Sequence, residues 1–517
     1  MFRNIGGSLP VSLARYQIED ASVASSIQAQ SVATPGASEL VPAASGAVTI
    51  DMSTTDTPTT NTSELPDSDD VMRLVYANNL HPTLYRDVWG EIAKFSSRDV
   101  LLNLRSAAKH MAAWVDRGIT SIKVSATDAP AMLAMLGDAI HLKHIDAFRI
   151  EDCNDQNFPS VVTALAALSD RPFALTVVES RRRDARLTQA SLQLLTEVAA
   201  TSLEIWLGEE FSHVEAEALA HLDYPVSVQG TFVADAPRDQ LALAGIPRLT
   251  ALSMWPHLVD TDGARAFATH PTLTELRCLS TGRLSLSEAA LSALAGSVQL
   301  RTLYIGSTRH SFGAEAFSAL ANNRILERLK IGNVARPIDP IFAELLSTNT
   351  TLKSLDIPVG AGCGYLTKMP ALEDLTLRCT SLNLDDAQLI LQHAHLHRLA
   401  FVFLPHFDAG TLGTIAGSDV IALRIERVAP SEDDVTALLA NGHLRSLDLD
   451  LTSDFAETVA YALALATHPT LTTLTLNYVK KPHEAPEVNM LMTTEERSMM
   501  MAAWGNHRPA GALMVNF

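Results

Sequence analysis

The sequence predicts an α/β solenoid, in which short parallel strands and helices alternate along the chain. The main observation is an aliphatic frame that is clearest in "HPTLTELRC" (270–278), where Leu273, Leu276 and Cys278 stand at offsets 0, +3 and +5. Such offsets bracket a short strand whose alternate side chains point inward. Two further observations, helical segments between the frames and a composition that excludes other classes, support the same fold.

The frame returns about fifteen times, about 20 to 28 residues apart, and this is the strand signature of a leucine-rich repeat. Clear copies begin at Leu300, Leu326, Leu352, Leu372, Leu444 and Leu471, weaker ones at Ile119, Ile145, Leu249, Leu396 and Val420, with shorter pairs at Leu175/Val177, Leu203/Ile205 and Val226/Val228. One repeat cannot offset the entropy of ordering its backbone, so neighbours must stack on it. Residues 118–480 are therefore predicted to form a horseshoe with strands inside and helices outside.

The segments between the frames predict the helices. They are rich in Ala and Leu at helical spacing over 287–298, 313–323, 338–349, 431–442 and 456–468. Ser287 and Ser431 stand where a helix N-cap is expected, because a hydroxyl oxygen can accept a hydrogen bond from the first turn.

Composition excludes several classes of function. The chain has 517 residues, and 39 basic against 58 acidic side chains give a formal charge of −19, so no nucleic-acid partner is expected. Four cysteines without a CxxC pair indicate neither a zinc finger nor a disulfide scaffold. There is no run of 18 apolar residues, so no membrane partner is expected either.

Residues 1–70 are predicted to be a disordered leader. They are poor in aromatic residues and rich in Ser, Thr, Ala and Pro, so they cannot bury enough apolar surface to fold. The first acidic residue is Glu19. A polar, Ser-rich leader of this kind resembles the export signal of bacterial type III effectors.

Residues 80–117 predict two short amphipathic helices before the first repeat. The first carries Leu84, Val88, Ile92 and Phe95 on one stripe. A second begins after Ser96-Ser97 and carries apolar residues at Val100, Leu101, Leu104, Ala108, Met111 and Val115. One interpretation is a cap that covers the first strand of the array.

The same residues resemble an F-box, a family that binds the Skp adaptor of cullin-based ubiquitin ligases. Tyr85 stands where the family has Pro, Asp87 replaces Glu, and Met111 replaces a Trp. Carried over by position, the resemblance implies the following Skp contacts: Leu84, Tyr85, Asp87, Val88 and Ile92, with Leu101, Leu102 and Leu104 behind them.

The whole chain is similar to the GALA family of plant-pathogen effectors, which combine such a leader, an F-box and leucine-rich repeats. Gly-Ala pairs at Gly263 and Gly313 add to the likeness. The resemblance implies type III secretion into the host cytoplasm or nucleus, and a non-enzymatic adaptor that brings an unknown host protein to a host ubiquitin ligase. The alternative is a non-catalytic repeat effector that only binds a host protein, with the N-terminal helices as a cap.

No catalytic site, cofactor site or metal site is predicted. Cys153-Asn154-Asp155 is similar to the Cys-x-Asp nucleophile motif of another class of bacterial ligase. However, Cys153 lies eight residues after Ile145, a turn slot expected to bond the backbone, and other copies hold small polar residues there: Thr127, Ser180, Thr231, Thr281, Thr308, Thr380 and Thr452. His393, His395 and His397 straddle a corner and have no carboxylate or cysteine beside them to complete a metal site.

Binding is predicted on the concave face, formed by residues between the inward aliphatics. These are Lys123, Arg149, Glu204, Trp206, Glu275, Arg277, Tyr304, Arg328, Lys330, Asp356, Asp374, Arg398, Arg424 and Asp448. Arg277, Tyr304, Arg328 and Lys330 combine cationic and aromatic groups, which are enriched at binding hot spots and suit an acidic or phosphorylated partner.

Residues 481–517 are predicted to be a C-terminal cap. Thr493 and Glu496 form a capping-box pattern before a Met-rich helix that ends near Trp504, and "ALMV" follows as a terminal strand.

Overall fold

The structure is a computed structural model. It describes residues 121–137 and 147–478, apart from loop residues 169–172, 181–185, 209–210, 232–233, 235, 280–283, 309–310, 333, 335, 361, 380–381, 394, 403–409 and 453–454, and it also describes 498–499, 501–502, 504 and 512–516. The predicted leader (1–70) and the F-box-like segment (80–117) lie outside the described residues, so the Skp contacts predicted from Leu84 to Leu104 remain predictions.

Strands and helices alternate in the first half of the array as the sequence predicts. In order they are β1 Ser121–Ser125, α1 Ala129–Gly137, β2 Ala147–Cys153, α2 Phe158–Ala166, β3 Phe173–Glu179, α3 Gln189–Gln193, β4 Ala200–Leu207, α4 His213–Leu219, β5 Val226–Gly230, α5 Pro237–Ala244, β6 Leu249–Met254, β7 Leu258–Val259, α6 Thr261–Ala268, β8 Glu275–Cys278 and β9 Ser285–Leu286. A 3₁₀ turn at Leu194–Glu197 follows α3.

The same alternation continues in the second half. The elements are α7 Glu288–Ala295, β10 Thr302–Ile305, α8 Ala314–Asn322, β11 Arg328–Ile331, α9 Pro340–Leu346, β12 Ser354–Pro358, a 3₁₀ helix at Cys363–Lys368, β13 Asp374–Arg378, α10 Leu384–Leu391, β14 Arg398–Val402, α11 Thr411–Ala416, β15 Ala422–Val428, α12 Glu432–Ala440, β16 Ser446–Leu451, α13 Phe455–Ala466, β17 Thr473–Tyr478 and β18 Ala512–Asn516. No helix of the described residues reaches the length and apolar character that a membrane span requires.

One long parallel sheet holds the array together. Sixteen strands of the described residues follow the order β1-β2-β3-β4-β5-β6-β8, then β10 to β18 in sequence, and each pairs with its neighbours in parallel. The two-residue strands β7 and β9 form a separate parallel pair. Because each strand pairs with the next copy of the frame, the predicted leucine-rich-repeat solenoid is confirmed at the level of the fold.

The aliphatic frame forms the core. Leu273, Leu276 and Cys278 are all at most 1% exposed, and the corresponding residues of the later copies up to Leu476 are at most 3% exposed. All fifteen predicted copies have a strand in the sheet. The terminal strand expected at "ALMV" is present as β18, which pairs with β17 and so continues the sheet into the predicted C-terminal cap.

A register shift lies between β5 and β6. Val226 pairs with Leu249, but the next residue, Ser227, pairs with Ala251, so β6 carries one extra residue. Upstream of this bulge the inward residues simply alternate, as at Leu203 and Ile205. The shift places Val226, the first inward residue of β5, opposite Leu249 at offset 0 of the next copy.

The helices begin where the sequence predicts them to begin. Ser287 accepts a hydrogen bond from the backbone N–H of Ala290 at 3.1 Å, and Ser431 accepts one from Asp434 at 3.2 Å as part of a capping box. Consecutive helices such as α6, α7 and α8 pack against one another, and the helices cover the aliphatic side of the sheet. In the part of the chain that the structure describes, no helix packs on the opposite side of the sheet.

Candidate functional site

The open side of the sheet, here called the polar face, is formed by the strand residues that alternate with the buried aliphatics. Strand register arranges these residues in rows that cross the sheet. The first row is Lys123, Arg149, Thr176, Glu204, Ser227, Ala251, Glu275, Thr302, Arg328, Ser354, Asp374, Arg398, Ala422, Ser446 and Thr473. All fourteen residues predicted for the concave face lie on the polar face, and none of them is buried.

The second row stands two residues further along each strand. It contains Val178, Trp206, Gln229, Ser253, Arg277, Tyr304, Lys330, Asp356, Thr376, Ala400, Arg424, Asp448 and Thr475. A third row begins with Trp255 and Leu279, because the Leu279 N–H donates to the Met254 carbonyl at 2.7 Å and extends the parallel pairing by one step.

The four predicted hot-spot residues lie together. Tyr304 pairs with Arg277 on one side and with Lys330 on the other, while Arg328 stands two residues before Lys330 on β11. The Lys330 Nζ atom lies 4.6 Å from the centre of the Tyr304 ring, a cation–π distance. The Arg277 Nε donates to Glu275 at 2.5 Å. We call Arg277, Tyr304, Arg328 and Lys330 the basic cluster.

Arg328 is the most available cation of the basic cluster. Its side chain is exposed, and within the described part of the chain it has neither a hydrogen bond nor an ion pair. It still acts on its surroundings, because burial raises the pKa of Asp374 while the charges of Arg398 and Arg328 oppose that rise. A guanidinium that makes no ion pair of its own remains free to bind a partner's carboxylate.

Asp356 and Arg378 form an ion pair on the polar face. The sequence predicted Asp356 on this face but not Arg378. Arg378 Nη2 donates to Asp356 Oδ2 at 2.9 Å, and Lys330 Nζ lies 3.6 Å from the same oxygen. Asp356 Oδ1 and Arg378 Nε are buried without a hydrogen-bond partner among the described residues. Arg378 was missed because it stands in the third row, beyond the offsets on which the predicted face was drawn.

The C-terminal end of the polar face is acidic. Arg424 pairs with Glu426 at 3.1 Å and with Asp448 at 3.5 Å, and Asn477 donates to Asp450 at 2.7 Å. Burial raises the pKa of Glu426, and the charge of Asp450 adds to the rise against the opposing charge of Arg424. The sequence predicted Arg424 and Asp448 here but not Glu426 or Asp450.

The N-terminal end of the polar face combines an ion-pair group with a tryptophan. Glu151 accepts from Lys123 at 2.9 Å and from Arg149 at 3.0 Å. Burial alone would raise the pKa of Glu151, but the hydrogen bonds and charges of the two cations outweigh it and lower that pKa. The Arg149 guanidinium also lies 6.0 Å from the centre of the Trp206 ring.

The surroundings of Cys153 do not favour a nucleophile. The residue is completely buried, and burial raises the pKa of its thiol to about 12, whereas a reactive cysteine needs a lowered pKa. Cys153 Sγ donates to a backbone carbonyl, that of Ile150 in its own strand, at 3.6 Å.

The bonds between turns are made by another position, three residues before the first frame aliphatic. Asn323 donates to the Ala295 and Ser297 carbonyls at 2.6 and 2.9 Å and accepts from the N–H groups of Ile325 and Leu326 at 2.7 and 2.6 Å. We call this set the turn ladder: His270, Ser297, Asn323, Asn349, His393, Asn441 and His468. Each member joins its own turn to the repeat before it.

The turn ladder also accounts for one of the alternating histidines. His393 Nε2 contacts the Met369 carbonyl at 3.1 Å, and its Nδ1 accepts from the His395 N–H at 3.2 Å. Both ring nitrogens are therefore used by the backbone. The signal was present in the sequence, since a polar residue recurs three places before Leu273, Leu326, Leu352, Leu444 and Leu471.

Comparisons with known proteins add little to this description. No family model matches the chain, and no curated protein matches it. Among solved structures, a leucine-rich-repeat protein of Leptospira interrogans is similar, with 14% sequence identity and a TM-score of 0.34. That match covers 79% of this chain and 98% of the other. The assignment of the fold therefore depends on the strand register and the buried frame of this chain itself.

Proposed function

We propose that this protein is a non-enzymatic adaptor of the GALA type, delivered into host cells by type III secretion. Its F-box-like segment would bind a host Skp protein, and its polar face would carry a host target to the cullin-based ligase. The contribution of such an adaptor is proximity, which raises the effective concentration of target at the ligase. The buried Cys153 thiol, with its pKa raised to about 12, supports a role without covalent chemistry.

The observation that carries the target-binding half is the basic cluster on the open polar face. It places an exposed guanidinium, a cation stacked on tyrosine and a second arginine on three adjacent strands of a chain whose net charge is −19. Aromatic and arginine side chains are the groups that dominate binding hot spots. The ligase-binding half is supported by the sequence of residues 80–117 alone.

The ligase-binding half is tested by pull-down of a purified plant Skp adaptor with the purified full chain. Val88→Asp and Ile92→Asp place a carboxylate on the apolar stripe of the first predicted helix, so each is expected to reduce capture to background. Arg86→Asp places the same group on the opposite side of that helix and should leave capture unchanged.

Capture that fails with the wild-type chain would overturn the adaptor role. It would favour the alternative, a repeat effector that masks a host protein without recruiting a ligase. Retention of capture by both stripe variants would instead show that the adaptor contacts some surface other than the predicted one.

A further inference from the structure

Beside the basic cluster, small side chains on β5 and β6 stand among larger ones, and we call this part of the polar face the depression. Its floor is made of small side chains, Ser227, Ala251 and Ser253, of which Ser253 is 7% exposed. Large side chains surround it, because Trp206 stands on β4 in the second row and Arg277 on β8 in the same row. Trp255 and Leu279, both half-buried, border it in the third row.

We propose that this depression and the basic cluster form one docking track for an extended acidic polypeptide segment. An apolar side chain of the segment fills the depression between Trp206 and Trp255, and carboxylates further along it bind Arg328 and Lys330. The inference rests on the proposed target-binding role of the polar face and names the chemistry of the target.

Charge complementarity selects an acidic occupant. On the polar face of β8 to β14, five basic side chains (Arg277, Arg328, Lys330, Arg378 and Arg398) stand against three acidic ones (Glu275, Asp356 and Asp374). Beyond them, on β15 and β16, Arg424 stands alone among Glu426, Asp448 and Asp450. An acidic segment is therefore attracted to the middle of the array and repelled from its C-terminal end, which fixes where the segment stops.

Strand spacing fixes the pattern of the segment. From Ser253 on β6 to Lys330 on β11 the sheet takes three strand steps, through β8 and β10. At about 4.8 Å for each step the distance is about 14 Å, which an extended chain covers in about four residues. The segment thus has an apolar residue followed, about four residues later, by Asp or Glu.

The residues around the depression determine which apolar side chain of the bound segment fits it, and we call that side chain the anchor. Two indole rings and the Leu279 side chain offer apolar contact, while the small floor leaves room for a branched or aromatic side chain above the backbone of β5 and β6. Gln229 lies between Trp206 and Ser253 in the second row. Its amide NH2 donates to Glu204 Oε1 at 2.7 Å, which leaves its carbonyl oxygen to accept from a backbone N–H of the bound segment. An apolar anchor of this kind gives affinity, and the charge pairs give position.

The test uses a fluorescein-labelled synthetic peptide of about twelve residues. It contains one leucine and, starting four residues after it, three glutamates. An extended chain rises about 3.3 Å per residue, so this spacing matches the distance from the depression to the basic cluster. Its binding to the full chain is measured by fluorescence anisotropy. Arg328→Glu with Lys330→Glu is expected to weaken binding by at least about tenfold and to abolish most of its dependence on salt. Trp206→Ala is expected to weaken it by about tenfold while the salt dependence stays.

The matched control is Arg265→Glu with Arg324→Glu, which makes the same change in charge on exposed residues away from the polar face. This variant should bind the peptide like the wild type. Circular dichroism of every variant checks that the fold is kept. A wild-type chain that does not bind the peptide, or binding that the Arg328/Lys330 variant leaves intact, overturns the inference.

The same protein samples are tested for capture by the Skp adaptor. Capture of the adaptor without binding of the peptide would reject this docking track while leaving the adaptor role in place. Binding of the peptide without capture of the adaptor would support the docking track and reject the adaptor role.

Discussion

Replacing Asn323 with leucine is expected to lower the free energy of unfolding by about 4 kcal/mol. The Asn323 side chain makes four hydrogen bonds, two to carbonyls of the preceding turn and two from the N–H groups of its own turn. Leucine has the same branching and number of side-chain heavy atoms, although it is larger, and it cannot make any of these bonds. Each buried backbone group left without a partner costs about 1 to 3 kcal/mol. Urea denaturation followed by circular dichroism measures the change.

Asn322→Leu is the matched control for this prediction. Asn322 is the adjacent residue, it is exposed, and its side chain donates a single hydrogen bond to the Ser318 carbonyl of its own helix at 2.9 Å. Its replacement should move the urea midpoint very little. Equal midpoints for the two variants would contradict the role given to the turn ladder.

Replacing Phe317 with alanine is expected to cost about 3 to 5 kcal/mol, the usual loss for a buried phenylalanine. Phe317 lies on α8, is completely buried, and its ring stacks on that of Phe342 of α9 with 5.2 Å between the centroids. The substitution leaves a cavity where two helices of successive repeats meet. Because each repeat is stabilised mainly by its neighbours, the loss should weaken the contact between two repeats.

Ile341→Ala provides the comparison for Phe317→Ala, since Ile341 lies on the same pair of helices but is 70% exposed. Its removal should change the stability by less than about 0.5 kcal/mol. A Phe317→Ala midpoint close to that of Ile341→Ala would show that the helices do not pack as described.

The aliphatic frame could be predicted from the sequence because burial selects residue type at fixed spacing. Leu326, Leu329 and Ile331 are apolar for the same reason in every copy, so repetition made the pattern visible. The copy at β18 was not counted because Ala510 fills its first slot. The extra residue at β6 was not predicted either, since a bulge depends on pairing with β5 and leaves no constant residue type.

The turn ladder and parts of the polar face were missed for a different reason. His270, Ser297 and Asn323 perform one task with three chemistries, because any side chain that accepts from two N–H groups and donates to a carbonyl will serve. Arg378 and Glu426 belong to a third row that the frame offsets do not reach. By contrast, the aligned frames were enough to place the residues of the basic cluster on adjacent strands, and their role in binding stays a prediction.

We infer that one chain carries two separate binding surfaces, the N-terminal segment for the ligase and the polar face for the target. Hydrogen exchange of the full chain with and without a plant Skp adaptor tests it most directly. We expect new protection within residues 80–117 and unchanged exchange in the strands from β1 to β17. Protection concentrated on those strands, or no protection in 80–117 at saturating adaptor, would contradict it.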